Sequence, residues 1–224
     1  MGMVTLDDPA LLGHTFVVID FEALTPKGRP AEPIEVAAVA GSFRIGHWAE
    51  TGRFSALMRP PDDVAVTPFD VAQTGITDME LRTQRPASRV MAALDARLTA
   101  PPYRLVAHHA PTEAGLIARQ HEHCPRLAAT PLLCTVRLAR VAYPELRSHS
   151  LDTVLHHLGI PLPANRHRAL PDVELTVALF GRLLTDGAAT DRWSTLADLD
   201  RLGGIPPKRA TQVPADTNTQ QPLF

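Results

Sequence analysis

The pattern of apolar and polar positions predicts strands at first and then an alternation of strands and helices. Residues 16–19 are all apolar, which is typical of a strand buried on both of its faces. Strands are predicted at residues 16–20, 34–45, 47–58, 103–107 and 131–135. Helices are predicted at residues 68–75, 86–98, 112–121, 135–143, 150–159, 171–184 and 191–202, after a loose lead-in at 1–13. This order predicts an α/β fold with a mixed central sheet flanked by helices.

The first strand ends in two acidic residues that share a face. Asp20 follows the apolar run, and Glu22 points to the same side because strand side chains repeat every second residue. Like charges this close repel each other unless a cation lies between them, and hard oxygen ligands suit Mg²⁺ or Mn²⁺. An isolated pair of this kind is more often a turn-capping Asp beside a solvated Glu. A metal site therefore requires partners elsewhere in the chain.

Two further acids and a histidine fall at predicted helix starts. Glu113 lies in the first turn of the helix after strand 103–107, and Asp172 lies in the first turn of the last long helix, with His167 in the loop before it. Each acid alone is accounted for by the helix dipole. Strand ends and helix starts are, however, where α/β proteins assemble their sites. Glu35, in the second strand, is predicted at a solvated edge.

Composition narrows the class of protein. The chain has 224 residues, of which 45% are hydrophobic, and this fits one α/β domain over residues 1–186 with a C-terminal helix and a flexible tail over 187–224. A net charge of -2 gives no global basic field, so a polyanion has to be bound through a local groove or through metal ions. Cys124 and Cys134 are predicted to be free thiols. No signal pattern or membrane-length apolar run is present, which predicts a cytoplasmic protein without a membrane partner.

Three segments of the chain resemble, in the same order along the sequence, the three motifs of the DEDDh 3′-5′ exonucleases. They are Asp20-x-Glu22, the segment ending at Glu113, and His167 followed by Asp172. That family includes the proofreading epsilon subunit of bacterial DNA polymerase III and ribonuclease T. Supporting likeness is found at 73–77, 143–146 and 148–151, so that the resemblance spans residues 16–184. Each motif alone is weak, whereas all of them in order on the expected elements are specific.

The resemblance implies a ribonuclease H-like fold and a role for each motif residue. Asp20, Glu22, Glu113 and Asp172 would hold two divalent cations, Mg²⁺ or Mn²⁺, with Asp20 shared between them. His167 would act as the general base, because imidazole exchanges a proton near neutral pH. The resemblance also implies contacts to the terminal nucleotide of a single-stranded 3′ end from Ala23, Leu24 and Phe69 or Ile76.

The middle motif departs from the family pattern. The family has Asn-Ala-x-Phe-Asp, whereas this chain has His109-Ala-Pro-Thr112-Glu113. In the family the middle acid holds metal largely through water, so one extra methylene can be accommodated. Three functions stay open. They are a 3′-5′ exonuclease that releases nucleoside 5′-monophosphates from DNA, a 3′-5′ exoribonuclease, and a catalytically weakened exonuclease-fold module that docks on the DNA sliding clamp.

The last five residues carry a second resemblance. Gln220-Gln-Pro-Leu223-Phe224 follows the polar stretch 211–219, which lacks the apolar residues to build a core. The pentapeptide resembles the segment by which bacterial polymerases and repair enzymes bind the DNA sliding clamp. In that mode Leu223 and Phe224 fill an apolar pocket and Gln220 binds at its rim. This feature tilts the prediction from RNA to DNA as substrate.

Overall fold

The computed structural model of the chain describes residues 7–44, 47–163 and 167–208. Its strands are β1 (Thr15–Leu24), β2 (Glu32–Arg44), β3 (His47–Leu57), β4 (Tyr103–Ala107), β5 (Leu132–Cys134) and β6 (Gly204–Ile205). They form one sheet in the order β3-β2-β1-β4-β5-β6. β4 runs parallel to β1 and β5, and the other neighbouring pairs are antiparallel. The predicted mixed sheet is therefore confirmed.

Helices cover both faces of this sheet. Those in the described residues are α1 (Pro9–Gly13), α2 (Pro68–Thr74), α3 (Asp78–Arg82), α4 (Ala87–Asp95), α5 (Ala110–Arg119), α6 (Pro125–Ala129), α7 (Thr135–Ala142), α8 (Leu151–His157), α9 (Ala169–Ala189) and α10 (Leu196–Gly203). The sequence pattern missed α1, α3 and α6. Each has only five residues, which is too short to show a helical period.

The central strand β1 is buried on both faces, as its apolar run predicts. Phe16 and Val18 belong to one core cluster together with residues of α9, whereas Val17 and Ile19 belong to a second cluster with residues of α4 and α5. Side chains alternate along a strand. Asp20 and Glu22 therefore lie on the same face of β1 as Phe16 and Val18, which is the face on which α9 packs.

Aromatic contacts fix α9 against this face. The Phe180 ring of α9 meets the rings of Phe16 in β1 and Phe43 in β2 edge-on, with centroids 5.3 and 5.6 Å apart. Such pairs contribute about 0.5–1.5 kcal/mol each beyond the burial of their area. The helix is therefore held in one position over the two strands that carry Asp20 and Glu35.

The C-terminal part of the described chain packs on the same sheet. The boundary predicted at residue 186 lies inside α9, and Trp193 and Leu196 belong to the core cluster that α9 occupies. β6 then pairs with β5 at the edge of the sheet. The predicted pentapeptide with Gln220, Leu223 and Phe224 lies outside the described residues, as does the predicted turn at 45–46. Among the described helices, none is long and apolar enough to cross a bilayer.

Candidate active site

Three acidic side chains converge where β1 ends and α9 begins. Asp20, Glu22 and Asp172 each offer a carboxylate oxygen, and these oxygens all lie within 4.8 Å of one another. All three residues are half-buried. Residues separated by 150 positions in the sequence thus form one cluster, because α9 packs on the face of β1 that carries both of the other acids.

The end of β1 is irregular at this cluster. Its antiparallel register with β2 shifts between Glu22 and Ala23, while Glu22 itself lies opposite Glu35. Bulges of this kind redirect side chains and recur beside active sites. Glu22 and Glu35 are cross-strand neighbours, so they face the same side of the sheet. The start of α9 therefore meets acids from two strands.

Glu35 is buried rather than solvated, so its predicted position at an exposed edge was wrong. It is 4% exposed, and its carboxylate accepts hydrogen bonds from Arg168 Nε at 3.0 Å and Arg168 Nη2 at 2.8 Å. The hydrogen bonds to Glu35 raise the pKa of Arg168, and the nearby Glu80 and Glu22 carboxylates act in the same direction. A sequence signal for this pair did exist. An acid within the apolar run 34–40 cannot remain buried without a partner.

His167 and Arg168 form the entry into α9. The His167 backbone has a φ of 64°, in the left-handed region that non-glycine residues seldom adopt, and its side chain is exposed. Arg168 is the N-cap residue but makes no capping hydrogen bond with its own side chain. The first helical N–H, that of Ala169, donates instead to Glu35 Oε2 at 3.0 Å.

Glu113 lies in the first turn of α5 and differs from the other three acids. It is 4% exposed and lies outside the group whose oxygens converge within 4.8 Å. Its Oε2 has no hydrogen-bond partner in the part of the chain that the structure describes. Burial raises the pKa of Glu113 from its usual value near 4.5 to about 8, against the opposing effects of its own backbone N–H and of Lys208. This carboxyl is thus held largely in its neutral form at neutral pH.

Two histidines and a lysine near the end of the described chain lie at the start of α5. His109, its N-cap residue, has a φ of 72° and makes no side-chain capping bond. The ring of His108 lies 2.8 Å from Thr135 Oγ1 and 3.1 Å from the His149 carbonyl. Lys208 Nζ donates to the Pro111 carbonyl at 2.7 Å. Sequence reasoning did not find Lys208, which reaches α5 from 97 residues away.

The residues predicted to contact the terminal nucleotide differ in their exposure. Phe69 in α2 is 72% exposed and Ala23 is half-buried, so both are accessible. Leu24 and Ile76 are only 2% and 1% exposed and pack in one small apolar cluster. Their contact with the terminal nucleotide stays a prediction, and it would involve only the small exposed part of each side chain.

The converging donors fit a hard divalent cation. Three carboxylate oxygens within 4.8 Å of one another match the oxygen ligands that Mg²⁺ and Mn²⁺ prefer. Neutral or soft donors are not part of this group. The arrangement therefore suits chemistry on a phosphoryl group, whose charge such a cation would offset.

A family model described as an exonuclease matches residues 17–180. The chain belongs to the exonuclease family. The matched residues contain β1 and its two acids as well as the start of α9 with Asp172. The predicted class, a metal-dependent exonuclease, is confirmed at the level of this family, and the resemblance of the three motifs is confirmed with it.

Relatives and a solved structure agree with that assignment. A DNA polymerase III PolC-type protein of Oceanobacillus iheyensis is 32% identical over 178 residues, which cover 79% of this chain but only 12% of the relative. The DNA polymerase III subunit epsilon of Aquifex aeolicus is 29% identical over 181 residues, covering 79% of this chain and 83% of the relative. The nuclease domain of 3′hExo, a DEDDh family member bound to rAMP, superposes with a TM-score of 0.67 at 20% identity, covering 81% of this chain and 96% of that domain. This last likeness shows the shared ribonuclease H-like fold.

Proposed function

We propose that the chain is a 3′-5′ exonuclease that hydrolyses the terminal phosphodiester of single-stranded nucleic acid and releases nucleoside 5′-monophosphates. The observation that carries the proposal is the convergence of Asp20, Glu22 and Asp172 within 4.8 Å at the end of the central strand. Family membership supplies the reaction class. Carboxylates held together in this way are suited to bind divalent cations. Such cations support the direct attack of water on a phosphodiester, without a covalent intermediate.

In the proposed site the acids hold two divalent cations, Mg²⁺ or Mn²⁺. Bound cations supply charge stabilisation at the attacking and leaving oxygens of an in-line displacement. Asp20, Glu22 and Asp172 form one group of ligands, and Glu113 contributes from α5. Glu113 would have to lose its proton in order to do so, because burial holds the pKa of this carboxyl near 8.

His167 is the proposed general base. Its side chain is exposed at the entry to α9, five positions before Asp172 in the first turn of the helix. In the proposed step an imidazole nitrogen of His167 accepts a proton from the attacking water as the new P–O bond forms. The bond from phosphorus to the 3′ oxygen of the penultimate nucleotide breaks, and that oxygen takes up a proton from solvent.

Single-stranded DNA is the proposed substrate, with RNA as the second candidate. The two relatives described above are named as DNA polymerase III proteins, which favours DNA. The 3′hExo domain was solved with rAMP, which favours an RNA substrate. Ala23 and Phe69 are the accessible candidates for contact with the terminal base.

The direct test is digestion of single-stranded DNA and RNA oligonucleotides of the same sequence, each labelled at its 5′ end, with Mg²⁺ or Mn²⁺. We expect shortening from the 3′ end, faster on DNA, with nucleoside 5′-monophosphates as products and no shortening in the presence of EDTA. The Asp20→Ala variant is the control for a contaminating nuclease. Failure of both substrates with both metals would argue for the weakened binding module, and faster digestion of RNA would reverse the substrate assignment.

A sliding clamp is the proposed partner of the C-terminal segment. The support is the pattern Gln220-x-x-Leu223-Phe224 at the end of a polar stretch. Docking through such a tail would raise the local concentration of the nuclease at DNA ends. The test is titration of a purified bacterial sliding clamp with a peptide of the last residues and with the same peptide carrying Leu223→Ala and Phe224→Ala. Equal binding of the two peptides would remove this partner.

A further inference from the structure

The carboxylate of Glu35 joins the central sheet to the start of α9. Its Oε1 accepts Arg168 Nη2 at 2.8 Å, and its Oε2 accepts both Arg168 Nε and the backbone N–H of Ala169 at 3.0 Å. The Glu35 side chain is 5% exposed, whereas that of Arg168 is 36% exposed. Three hydrogen bonds from two consecutive residues thus converge on one buried carboxylate.

This contact replaces an ordinary helix cap. A helix leaves its first backbone N–H groups without intrahelical partners, and a Ser, Thr, Asp or Asn at the N-cap usually accepts from one of them. Arg168 holds that position in α9 and has no acceptor in its side chain. Glu35 supplies the acceptor from β2, and its negative charge lies at the positive end of the helix dipole.

The contact between Glu35 and Arg168 also lies beside the candidate site residues of α9 and of β1. His167 directly precedes Arg168, and Asp172 is in the first turn of the helix that Ala169 begins. On the sheet, Glu35 lies opposite Glu22 in the β1–β2 register. The bidentate guanidinium fork fixes direction as well as distance. A displacement at this point would therefore move His167 and Asp172 relative to Asp20 and Glu22.

We propose that Glu35 and Arg168 are positioning residues that set the start of α9, so that Asp172 meets the acids of β1 and His167 faces the substrate phosphate. The role rests on the proposed nuclease function, since it acts through His167 and Asp172. It predicts that loss of the pair damages metal binding and turnover beyond the damage done to folding. Outer partners that orient metal ligands typically contribute about 10–100-fold to metal affinity.

Asp95 provides a matched control elsewhere in the same molecule. It is 6% exposed, and its Oδ1 accepts the backbone N–H of Leu127 in α6 at 2.8 Å. Arg126 lies beside it and donates to its backbone carbonyl at 3.3 Å. Asp95 is thus a buried carboxylate that satisfies a helix start next to an arginine, but it lies at the end of α4 and contacts neither β1 nor α9 through these bonds. Its loss should affect folding alone.

The experiment compares Glu35→Gln, Arg168→Lys and Asp95→Asn in the full chain. Each variant is measured for Tm, for kcat and KM on a single-stranded DNA oligonucleotide, and for Mn²⁺ affinity by electron paramagnetic resonance without nucleic acid. We expect all three to lower Tm. Glu35→Gln should lower kcat by about 10²-fold with little change in KM, as a misplacement near 1 Å does, and should weaken Mn²⁺ binding about 10–100-fold. Arg168→Lys keeps the charge without the fork and should give the same pattern with smaller changes.

Two results would overturn the positioning role. One is a Glu35→Gln variant that loses Tm as Asp95→Asn does but keeps wild-type kcat and Mn²⁺ affinity. If Glu35→Gln does not fold, the other is an Arg168→Lys variant that is wild-type in both measurements. The Mn²⁺ titration separates this proposal from the proposed function. An inactive wild type whose Mn²⁺ affinity still falls in Glu35→Gln would contradict the nuclease assignment and leave only the placement of Asp172 against the acids of β1.

Discussion

The starts of α9 and α5 look alike in sequence and differ in structure. Each follows a histidine with a left-handed backbone, His167 or His109, and each carries an acid in its first turn, Asp172 or Glu113. Asp172 is half-buried and lies with two acids of β1. Glu113 is buried, its pKa is raised to about 8 by that burial, and it lies outside this group. One start is held by a carboxylate from β2, whereas the other has no side-chain cap bond of its own.

The difference lies in the surroundings that each helix start gives to its first-turn acid. At α9 the protein alone brings three carboxylates together, and the contact from Glu35 defines where the helix begins. At α5 the carboxyl of Glu113 is mainly neutral at neutral pH, because desolvation disfavours its anion. A nearby cation would favour the anion. The same type of substitution, of the first-turn acid or of the preceding histidine, should therefore change activity by different amounts at the start of α9 and at the start of α5.

The largest effect is expected from the acids on the α9 side. Asp172→Asn, Asp20→Ala and Glu22→Ala should each reduce nuclease activity by at least about 10²–10³-fold, the loss seen when one strong electrostatic contact to a reacting group is removed. Tm in the absence of metal should not fall, because removing one of three neighbouring carboxylates reduces their mutual repulsion. Activity assays and thermal melts in EDTA check both parts. Near wild-type activity of Asp172→Asn would show that the converging acids are not the site.

The next effect separates the two histidines. His167→Ala should lower kcat by about 10²-fold or more with little change in KM, as expected for loss of a general base. The matched variant His109→Ala removes an exposed histidine with the same left-handed backbone from the α5 start and should leave kcat unchanged. Steady-state kinetics of both variants on one DNA oligonucleotide make the comparison. Equal losses in the two variants would mean that the left-handed backbone, rather than the His167 imidazole, is what matters.

Much of this comparison could be predicted from the sequence, because it depends on local patterns. The apolar run before Asp20 predicts a buried strand that ends in an acid, and the strand proved to be central. Likewise, the helix dipole places acids in first turns, where Glu113 and Asp172 lie. Periodicity and helix-start signals are properties of a few consecutive residues. They remain visible without knowledge of the partner elements.

What could not be predicted depends on partners far away in the sequence. Glu35 was assigned to a solvated edge because its partner, Arg168, lies 133 residues further along. The burial of Glu113 follows from the packing of α5 on the sheet. Nothing in the sequence indicated that Leu24 and Ile76, which the resemblance assigns to the nucleotide, belong to a small apolar cluster. In each case the tertiary environment decides exposure, and no local pattern reports it.

Glu113 should give an intermediate effect on activity. Glu113→Asp restores the acid of the family motif and should preserve or raise kcat, whereas Glu113→Gln cannot become an anion and should lower kcat by about 10-fold or more. The loss should be smaller than that of Asp172→Asn, since Glu113 lies outside the converging group. Kinetics of the three variants side by side test this order. Equal rates for wild type, Glu113→Asp and Glu113→Gln would make Glu113 a helix-dipole acid only.

Glu113 should also give the metal-free protein a characteristic dependence of stability on pH. Its pKa in the folded chain is about 8, above the value near 4.5 expected when unfolded, so the folded state binds a proton that the unfolded state has lost between these values. Its contribution is therefore fully present below pH 4.5 and is lost as pH rises through about 8, by at most about 1.4 kcal/mol per pH unit. Denaturant melts at pH 6 and pH 9 in EDTA should show a smaller decrease for Glu113→Gln than for wild type. Parallel decreases would contradict the buried, neutral carboxyl.

The smallest effect concerns the backbone of the α5 start. His109 has a φ of 72° where the family motif has Asn, a residue that adopts the left-handed region more readily than most. His109→Asn should therefore match or slightly exceed wild type in free energy of unfolding, whereas His109→Ala should lose about 0.5 kcal/mol, because His and Asn are several-fold more frequent in the left-handed region than most residues. His156→Ala on the exposed side of α8 is the control, because its backbone is helical and the change should be near neutral. Urea denaturation of the three variants measures the differences. If His109→Ala is as stable as His109→Asn, the left-handed backbone does not explain the family's preference for Asn, and the two helix starts differ through their acids alone.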